Sequence, residues 1–532
     1  MLLFLAINSK YIHTNIAVRY FYHLCKELYP CEFLESNINQ SIEDVLFEVV
    51  KRKPRYVAIS TYIWNVQFVR MLTEGIKKLL KDTVIILGGP EVCSDTLEDW
   101  EYADFIVRGE GESFFVDFCN SLSRGDEFFL KDYQQFDLEQ LPFPYRDEKM
   151  DQNKVYYYET SRGCPFRCSY CLSSVDKPVR FSPLDKVFEE IRFFFDKDIK
   201  LLKFVDRTFN IKKERAIEII EFCKRYSKNT QVHLEIEPSL LDEDIIKSLN
   251  TSRDGLFRLE IGIQSFKRDT LKAIERVSDL ERIDRNIKKL MEEKRCLIHL
   301  DLIAGLPYEN FEGFKESLDK TIFYFADEVQ LGFLKMLKGT GIRDEADLYG
   351  YEYQSFPPYE VISNRFISYE ELYRLKRMEA LIDRLYNRKN LFWTLRYIFK
   401  RYPPSNFFES LSYQVDCGKN PKDFLNDLYN YLTSSRLIED YDILKNLFRF
   451  DVLSIYPEDY LPLDLRYSPR DKDIIKAFKK TQLKDFYRNP RLGLFDFDIE
   501  RLITEGILDK ERYIYVFDGK PFKFQVSRRG NS

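Results

Sequence analysis

The segment ETSRGCPFRCSYCLSS, residues 159–174, decides how the rest of this chain is read. It places Cys164, Cys168 and Cys171 in a CxxxCxxC spacing, on a loop leaving a strand expected over 156–160. A [4Fe-4S] cube has four irons, each ordinarily held by one thiolate, so three cysteines leave one iron open. A structural zinc site would close with a fourth Cys or His. The four histidines, His13, His23, His233 and His299, all lie far from the triplet in sequence, so zinc would need a ligand folded back from a distance.

Downstream, apolar runs at 201–205, 232–236, 257–262, 298–302 and 329–333 alternate with helical patterns. One helix is marked by Ser182 as cap, Pro183 in the first turn and the apolar face Leu184, Val187, Phe188, Ile191, Phe194 and Phe195. Six βα units predict a partial (β/α)6 barrel. The cysteine loop then lies at the C-terminal end of its first strand, the face on which barrels build active sites.

Upstream, runs at 2–6, 33–34, 56–60, 84–87 and 105–107 alternate with helices, among them one with Ala17, Phe21, Leu24 and Leu28 on one face. This predicts a doubly wound α/β domain over 1–125. Its strand ends carry Asn8 and Ser9, Thr61 and Tyr62, and Gly88-Gly89-Pro90; ligands of open parallel sheets bind at such ends. Residues 126–150, with LPFPYR, read as a linker crossing a surface, and the barrel is expected over 151–350. From 351 to 532 the βα rhythm gives way to a mostly helical domain with long aromatic helices such as 369–386. The terminal YIYVFDGKPFKFQV places Asp518 and Gly519 at a hairpin turn.

Lys and Arg total 82 against 87 Asp and Glu, a net charge of -5, so no global positive field indicates nucleic acid. No apolar run approaches the ~20 residues that span a bilayer, and MLLFLAINSKY lacks a basic n-region and a cleavage site. A cytoplasmic protein with no membrane partner is expected. The other seven cysteines, Cys25, Cys31, Cys93, Cys119, Cys223, Cys296 and Cys417, are scattered and read as buried packing residues, without an auxiliary cluster.

The ordered motifs LKFVDRTFN, HLEIEPSLLDEDI, RLEIGIQSF and IHLDLIAGLPYEN behind the cysteine triplet resemble the radical S-adenosylmethionine (SAM) superfamily, and within it oxygen-independent coproporphyrinogen oxidase. The resemblance implies that SAM chelates the open iron and is cleaved reductively to a 5′-deoxyadenosyl radical. Carried over residue by residue, it implies SAM contacts at Glu235, Gln264, Arg276 twelve residues later, and Asp301, with Tyr170 near adenine. Asp206 is a weaker match because the family's Gly-Gly-Glu is missing there. The carboxylates suit ribose hydroxyls or the methionyl ammonium, and Arg276 and Gln264 suit the methionyl carboxylate.

The preceding α/β domain departs from that oxidase and is similar to the Rossmann-like cobalamin-binding domain of cobalamin radical SAM enzymes, as are VIILGGPEV and DFIVRGEGE. YIHTN, TYIWN and QLGFLKMLKGTGI resemble a bacterial subgroup whose C-terminal domain has no known role. This implies a cobalamin cradle of Ser9, Tyr11, Thr61, Tyr62, Trp64, Asn65, Gly88, Gly89 and Pro90. The Asp-x-His-x-x-Gly motif is missing, and His13 reads as a hydrogen-bonding or core residue. The expected activity is an anaerobic transferase carrying methyl to a carbon centre or rearranging it, served by a low-potential donor such as flavodoxin or ferredoxin. The alternatives are a radical SAM enzyme without functional cobalamin and a non-catalytic iron-sulfur electron-transfer or sensor protein.

Overall fold

A strand buried on both faces reads as an unbroken apolar run, and LLFLAIN forms the centre of the first sheet. The computed structural model describes residues 1–526 apart from 129, 132, 175–177, 277, 484–489, 510 and 519–520. The first sheet comprises β1 (Leu2–Asn8), β2 (Cys31–Asn37), β3 (Tyr56–Ser60), β4 (Val84–Gly88) and β5 (Phe105–Val107). All are parallel in the order β2-β1-β3-β4-β5. Leu3, Leu5 and Ile7 pack into a core on one face, Leu2, Phe4 and Ala6 into another on the opposite face. The order reverses between β1 and β3, where a doubly wound sheet opens a crevice at its strand ends.

The second sheet contains β6 (Val155–Tyr158), β7 (Leu201–Phe204), β8 (Gln231–Ile236), β9 (Phe257–Gln264), β10 (Leu297–Ala304) and β11 (Glu328–Phe333), neighbours in chain order. Pairing from β6 to β10 is parallel throughout. Burial alternates strictly along β9 and β10: Leu259, Ile261, Leu300 and Leu302 are buried, while Glu260, Gly262, His299 and Asp301 occupy the other, polar face. The helix of residues 184–196 forms as expected, but Ser182 is not its cap. Pro183 takes that position, and the Ser182 N–H is engaged by the Thr160 carbonyl.

The chain divides into two compact units, Met1–Asn310 with Gly332–Ser368, and Phe311–Leu331 with Tyr369–Ser532. Within the first, the α/β domain and the barrel strands are tied together. The Val155 N–H donates to the Ile12 carbonyl, the Thr14 hydroxyl to the Val155 carbonyl, and His13 Nδ1 lies 2.7 Å from the Tyr157 hydroxyl. This matches the hydrogen-bonding reading of His13. The linker is irregular yet anchored: Phe143 and Tyr145 are buried, and Glu148 pairs with the buried Arg19 at 2.7 Å.

The second unit is helical with a three-stranded antiparallel sheet, Arg491–Phe495, Arg512–Phe517 and Phe522–Val526. The last two strands form the expected hairpin pairing; Gly519 of its turn lies outside the described residues. The aromatic helix runs from Tyr369 to Leu381 and then continues as a π-helix, Ile382–Asn387. Asn387 there receives the Val329 N–H and returns a bond to its carbonyl. Among the described residues no helix is long and apolar enough to cross a membrane.

Asp451 in this unit is 1% exposed and caps the helix Phe392–Ile398, accepting from the Trp393 and Thr394 N–H groups at 2.9 Å each. Burial outweighs those bonds and pushes its carboxyl up to about 7. Because the folded value lies above the unfolded one, this group contributes nothing below about pH 4, and its ionisation increasingly disfavours the folded state up to about pH 7, by a few kcal/mol in order of magnitude. Asp451→Asn removes the titration and adds a fixed mismatch against two donors. The stability of Asp451→Asn relative to wild type should therefore rise between pH 4 and 7 and level off above. Urea unfolding followed through tryptophan fluorescence measures this; a pH-independent gap would refute the raised carboxyl.

Candidate functional site

The cysteine loop is built by short-range constraints. Two-residue strands, Ser161–Arg162 and Arg180–Phe181, pair at its base, and Gly163 takes φ +94°, a left-handed conformation open to glycine. The Cys171 N–H then donates to the Cys168 carbonyl, and the Ser169 N–H to the Ile274 carbonyl. Cys168 is 6% exposed, Cys164 and Cys171 are half-buried, and all three are free thiols. Burial pushes the Cys168 thiol up, while the Arg276 guanidinium, 3.8 Å from its sulfur, and the neighbouring Cys171 and Cys164 act in opposite senses. Among the described residues no three His, Cys, Asp or Glu side chains converge on a single metal ion. Three cysteines on one loop are the donor set of a four-iron cube with one corner open.

Arg276 joins this loop to the strand ends. Its Nη2 donates at 2.7 Å both to Glu237 Oε2 and to the Gly262 carbonyl. Gln264 ends β9 with φ 69°, at a break in the β9–β10 register. A Cβ at Gly262 would lie 2.2 Å from Gln264 Nε2, so the glycine makes room for that side chain to fold back. Gln264 Oε1, Arg276 Nε and Asp301 Oδ1 are buried without a hydrogen-bond partner. His299 Nε2 lies 3.1 Å from Asp301 Oδ1 but outside hydrogen-bond alignment. Buried polar groups are ordinarily satisfied; the unpaired Gln264 Oε1 and Arg276 Nε, side by side at Gly262, suit a polar ligand there, and Asp301 Oδ1 adds a third unsatisfied atom on the same polar strand face.

Further along the polar face, burial pushes the Glu235 and Asp301 carboxyls up. Glu260 is held down, first by His233 Nε2 at 2.8 Å and then by Lys203. Burial also raises the Tyr170 hydroxyl, whose neighbours are Arg276 and Cys168. Asp206 differs from the other candidates. Its carboxylate accepts from the Thr160 N–H and from the Thr160 and Ser161 hydroxyls, so it ties the second strand's end to the cysteine loop.

The first domain's candidates gather at the β1/β3 switch and the adjoining end of β4. A Cβ on Gly89, at φ +105°, would lie 2.5 Å from the Thr61 carbonyl oxygen, so only glycine lets these loops meet. The Thr61 hydroxyl is 0% exposed and unpaired. Tyr62 and Trp64 stack at 4.3 Å, with Trp64 45% and Tyr11 64% exposed, and Ser9, Gly88 and Pro90 are also accessible in part. Asn65 is committed elsewhere: its amide donates to the Ile7 and Ser60 carbonyls and its oxygen accepts the Tyr62 N–H. It welds the two strand ends from beneath.

Sequence reasoning missed three acidic residues. Glu237, two positions after Glu235 in LEIEP, is the partner of Arg276; the Glu-x-Glu alternation at a strand end was its available signal. Glu110 and Glu112 of RGEGE pair with Arg162 at 3.0 and 2.9 Å, and Glu110 also with Arg180. That loop clamps the base of the cysteine segment, a pairing between residues 50 apart that no local pattern reveals.

Comparison with known proteins adds to this geometry. Residues 2–118 match the B12 binding domain, residues 158–321 the radical SAM superfamily, and residues 347–517 a domain of unknown function, DUF4080. An uncharacterized methyltransferase of Pyrococcus horikoshii is 27% identical over 36% of this chain and 47% of its own length. The cobalamin-dependent radical SAM methyltransferase TokK of Streptomyces tokunonensis is 25% identical over 50% and 44%. The chain thus spans less than half the length of these curated relatives. An oxygen-independent coproporphyrinogen III oxidase of Synechocystis is 30% identical over 95 residues, 18% of this chain and 20% of its own length. Among solved structures, the radical SAM methyltransferase TsrM of Kitasatospora setae, with cobalamin and a [4Fe-4S] cluster bound, superposes with TM-score 0.56 at 16% identity over 67% of this chain and 78% of its own. The cobalamin-dependent SAM radical enzyme OxsB gives 0.58 at 12% over 92% and 76%. The chain therefore carries, in this order, a B12 binding domain, a radical SAM superfamily domain and a DUF4080 domain.

Proposed function

We propose that this protein is a cobalamin-dependent radical SAM enzyme that transfers a methyl group to, or rearranges, a carbon centre. The observation that carries the reading is Arg276: one buried guanidinium reaches Cys168, Glu237 and the Gly262 carbonyl while its Nε stays unpaired, so cysteine loop and strand ends form one site. The domain limits that go with it are 1–125, 126–150, 151–350 and 351–532.

When bound, the cluster and cobalamin supply the electron that cleaves SAM to a 5′-deoxyadenosyl radical and the carrier chemistry for the methyl group. Cys164, Cys168 and Cys171 hold the cluster. Arg276 and Gln264 donate to the methionyl carboxylate, which settles the anion beside Cys168. Glu235 and Asp301, disposed toward protonation by burial, hydrogen-bond the ribose or ammonium, and Tyr170 packs on adenine. Asp206 and Asn65 hold the loops in place. Tyr11, Tyr62 and Trp64, with Ser9, Thr61 and Gly88-Gly89-Pro90, would hold the cobalamin, and a flavodoxin or ferredoxin would deliver the electron.

Anaerobic reconstitution with iron, sulfide and cobalamin, followed by a SAM cleavage assay, tests the reading. Corrin absorption retained after desalting and formation of 5′-deoxyadenosine are expected. A preparation colourless in the corrin bands defeats the cobalamin half, and absence of 5′-deoxyadenosine defeats the enzyme.

Thr61→Val gives a sharper result. Removing a buried unsatisfied hydroxyl should stabilise the ligand-free protein by about 1 kcal/mol, while cobalamin affinity should fall by about tenfold for one lost hydrogen bond. Thermal unfolding and spectrophotometric titration read the two effects. A parallel change in both assigns Thr61 to packing alone.

A further inference from the structure

The segment Leu334–Ile342, LKMLKGTGI, belongs to the first compact unit and touches both loops that the proposed function assigns to cofactors. At one end Lys338 Nζ lies 2.8 and 3.0 Å from the two Asp95 oxygens and 3.3 Å from Glu91 Oε1. Both acids are buried, in the loop that follows Gly88-Gly89-Pro90. Asp95 is fixed in turn by the Trp100 indole N–H at 2.8 Å and, through its carbonyl, by Arg108. Glu91 also accepts from the Tyr359 hydroxyl, and Arg343 lies over the Tyr359 ring. At the other end the Ile342 N–H donates at 3.0 Å to the carbonyl of Ser169, between Cys168 and Cys171, and Gly341 packs on the same residue. Gly339, at φ +77°, would place a Cβ 2.7 Å from Ser94 Oγ.

Three residues therefore separate an ammonium clamped by two buried carboxylates from a backbone bond to the cysteine loop. We infer that Lys338 is a positioning residue: through this strap it fixes the β4 loop against the cysteine loop and so sets the spacing of the two cofactors. The reference to cofactors rests on the proposed function; the mechanical link does not. A lysine suits the place because one compact ammonium can satisfy three carboxylate oxygens, and removing one partner of a buried pair leaves the other charges uncompensated. Asp95 and Glu91 would then repel each other, and the β4 loop would lose its hold on the strap.

Hydrogen exchange on the full chain, with and without reconstitution, tests the link in Lys338→Met and Lys338→Arg. Lys338→Met should exchange faster by about tenfold both at 91–100 and at 164–174, and Lys338→Arg, which keeps the charge, should return both to near the wild-type rate. Acceleration at 91–100 alone, at neither segment, or equally in both variants overturns the proposal. Should Lys338→Met not fold, Gly339→Ala is read by the same two segments, and an unequal response overturns it. In the loaded protein, Lys338→Met should also alter the magnetic interaction between reduced cluster and cob(II)alamin in EPR. A wild type that binds no corrinoid while the exchange pattern holds defeats the proposed function and leaves the strap standing.

Discussion

Cys168→Ala is expected to abolish cluster assembly and reduce 5′-deoxyadenosine formation to the no-enzyme background, the largest single effect in the molecule. Cys168 is the most buried of the three thiols and the one in contact with Arg276. Its loss removes a cluster corner and leaves that guanidinium facing a cavity. Iron and sulfide content of the reconstituted variant, set beside SAM cleavage, separates assembly from turnover. Cys223→Ala is the matched control: Cys223 is fully buried in the helix Lys213–Tyr226, away from any charged neighbour that shifts it, and should keep wild-type iron content. Metal analysis also decides against the rival centre. A wild-type protein carrying one zinc and no acid-labile sulfide would mean that the triplet recruits a distant ligand after all.

The architecture was legible because hydrophobic periodicity is local. All eleven strands of the two large sheets begin or end within a few residues of the apolar runs that announce them, Tyr56–Ser60 and Phe105–Val107 to the residue. The reversal of strand order at β1/β3 follows from connection rules once five parallel strands are granted. What escaped were interactions between charges distant in sequence. Glu110 and Glu112 look like parts of a glycine-rich ligand loop, yet their partner is Arg162. Asp206 and Asn65 sit where ligand contacts were expected, and there strand ends expose backbone donors and acceptors that engage short polar side chains, so each also carries structural bonds that no local pattern announces. Ser182 is not the cap because the helix boundary falls one residue later, at Pro183.

The second large effect concerns Arg276 and Glu237, where stability and ligand binding should respond with opposite patterns. The pair is buried at 2.7 Å, with side-chain exposures of 10% and 5%. Arg276→Met takes the ion-pair partner from the buried Glu237, which keeps only the Ser239 N–H and hydroxyl on its other oxygen, and should cost about 3 kcal/mol. Glu237→Gln leaves the guanidinium two remaining partners, the Gly262 carbonyl and Cys168, and should cost less. The double variant removes both charges and is expected to be more stable than Arg276→Met alone, because an absent ion pair costs little where a broken one costs much. SAM binding should not follow that recovery. Arg276 is assigned to the methionyl carboxylate, so both variants lacking it should bind SAM about a hundredfold more weakly, while Glu237→Gln retains most of the affinity. Arg276→Lys should resemble Arg276→Met in binding, since a point charge cannot reproduce a planar fork spread over a thiol, a carboxylate and a carbonyl. Denaturant unfolding and equilibrium SAM binding on the same four preparations give the cycle. If affinity returns together with stability in the double variant, Arg276 only braces the fold, and the methionyl carboxylate must be sought at another donor.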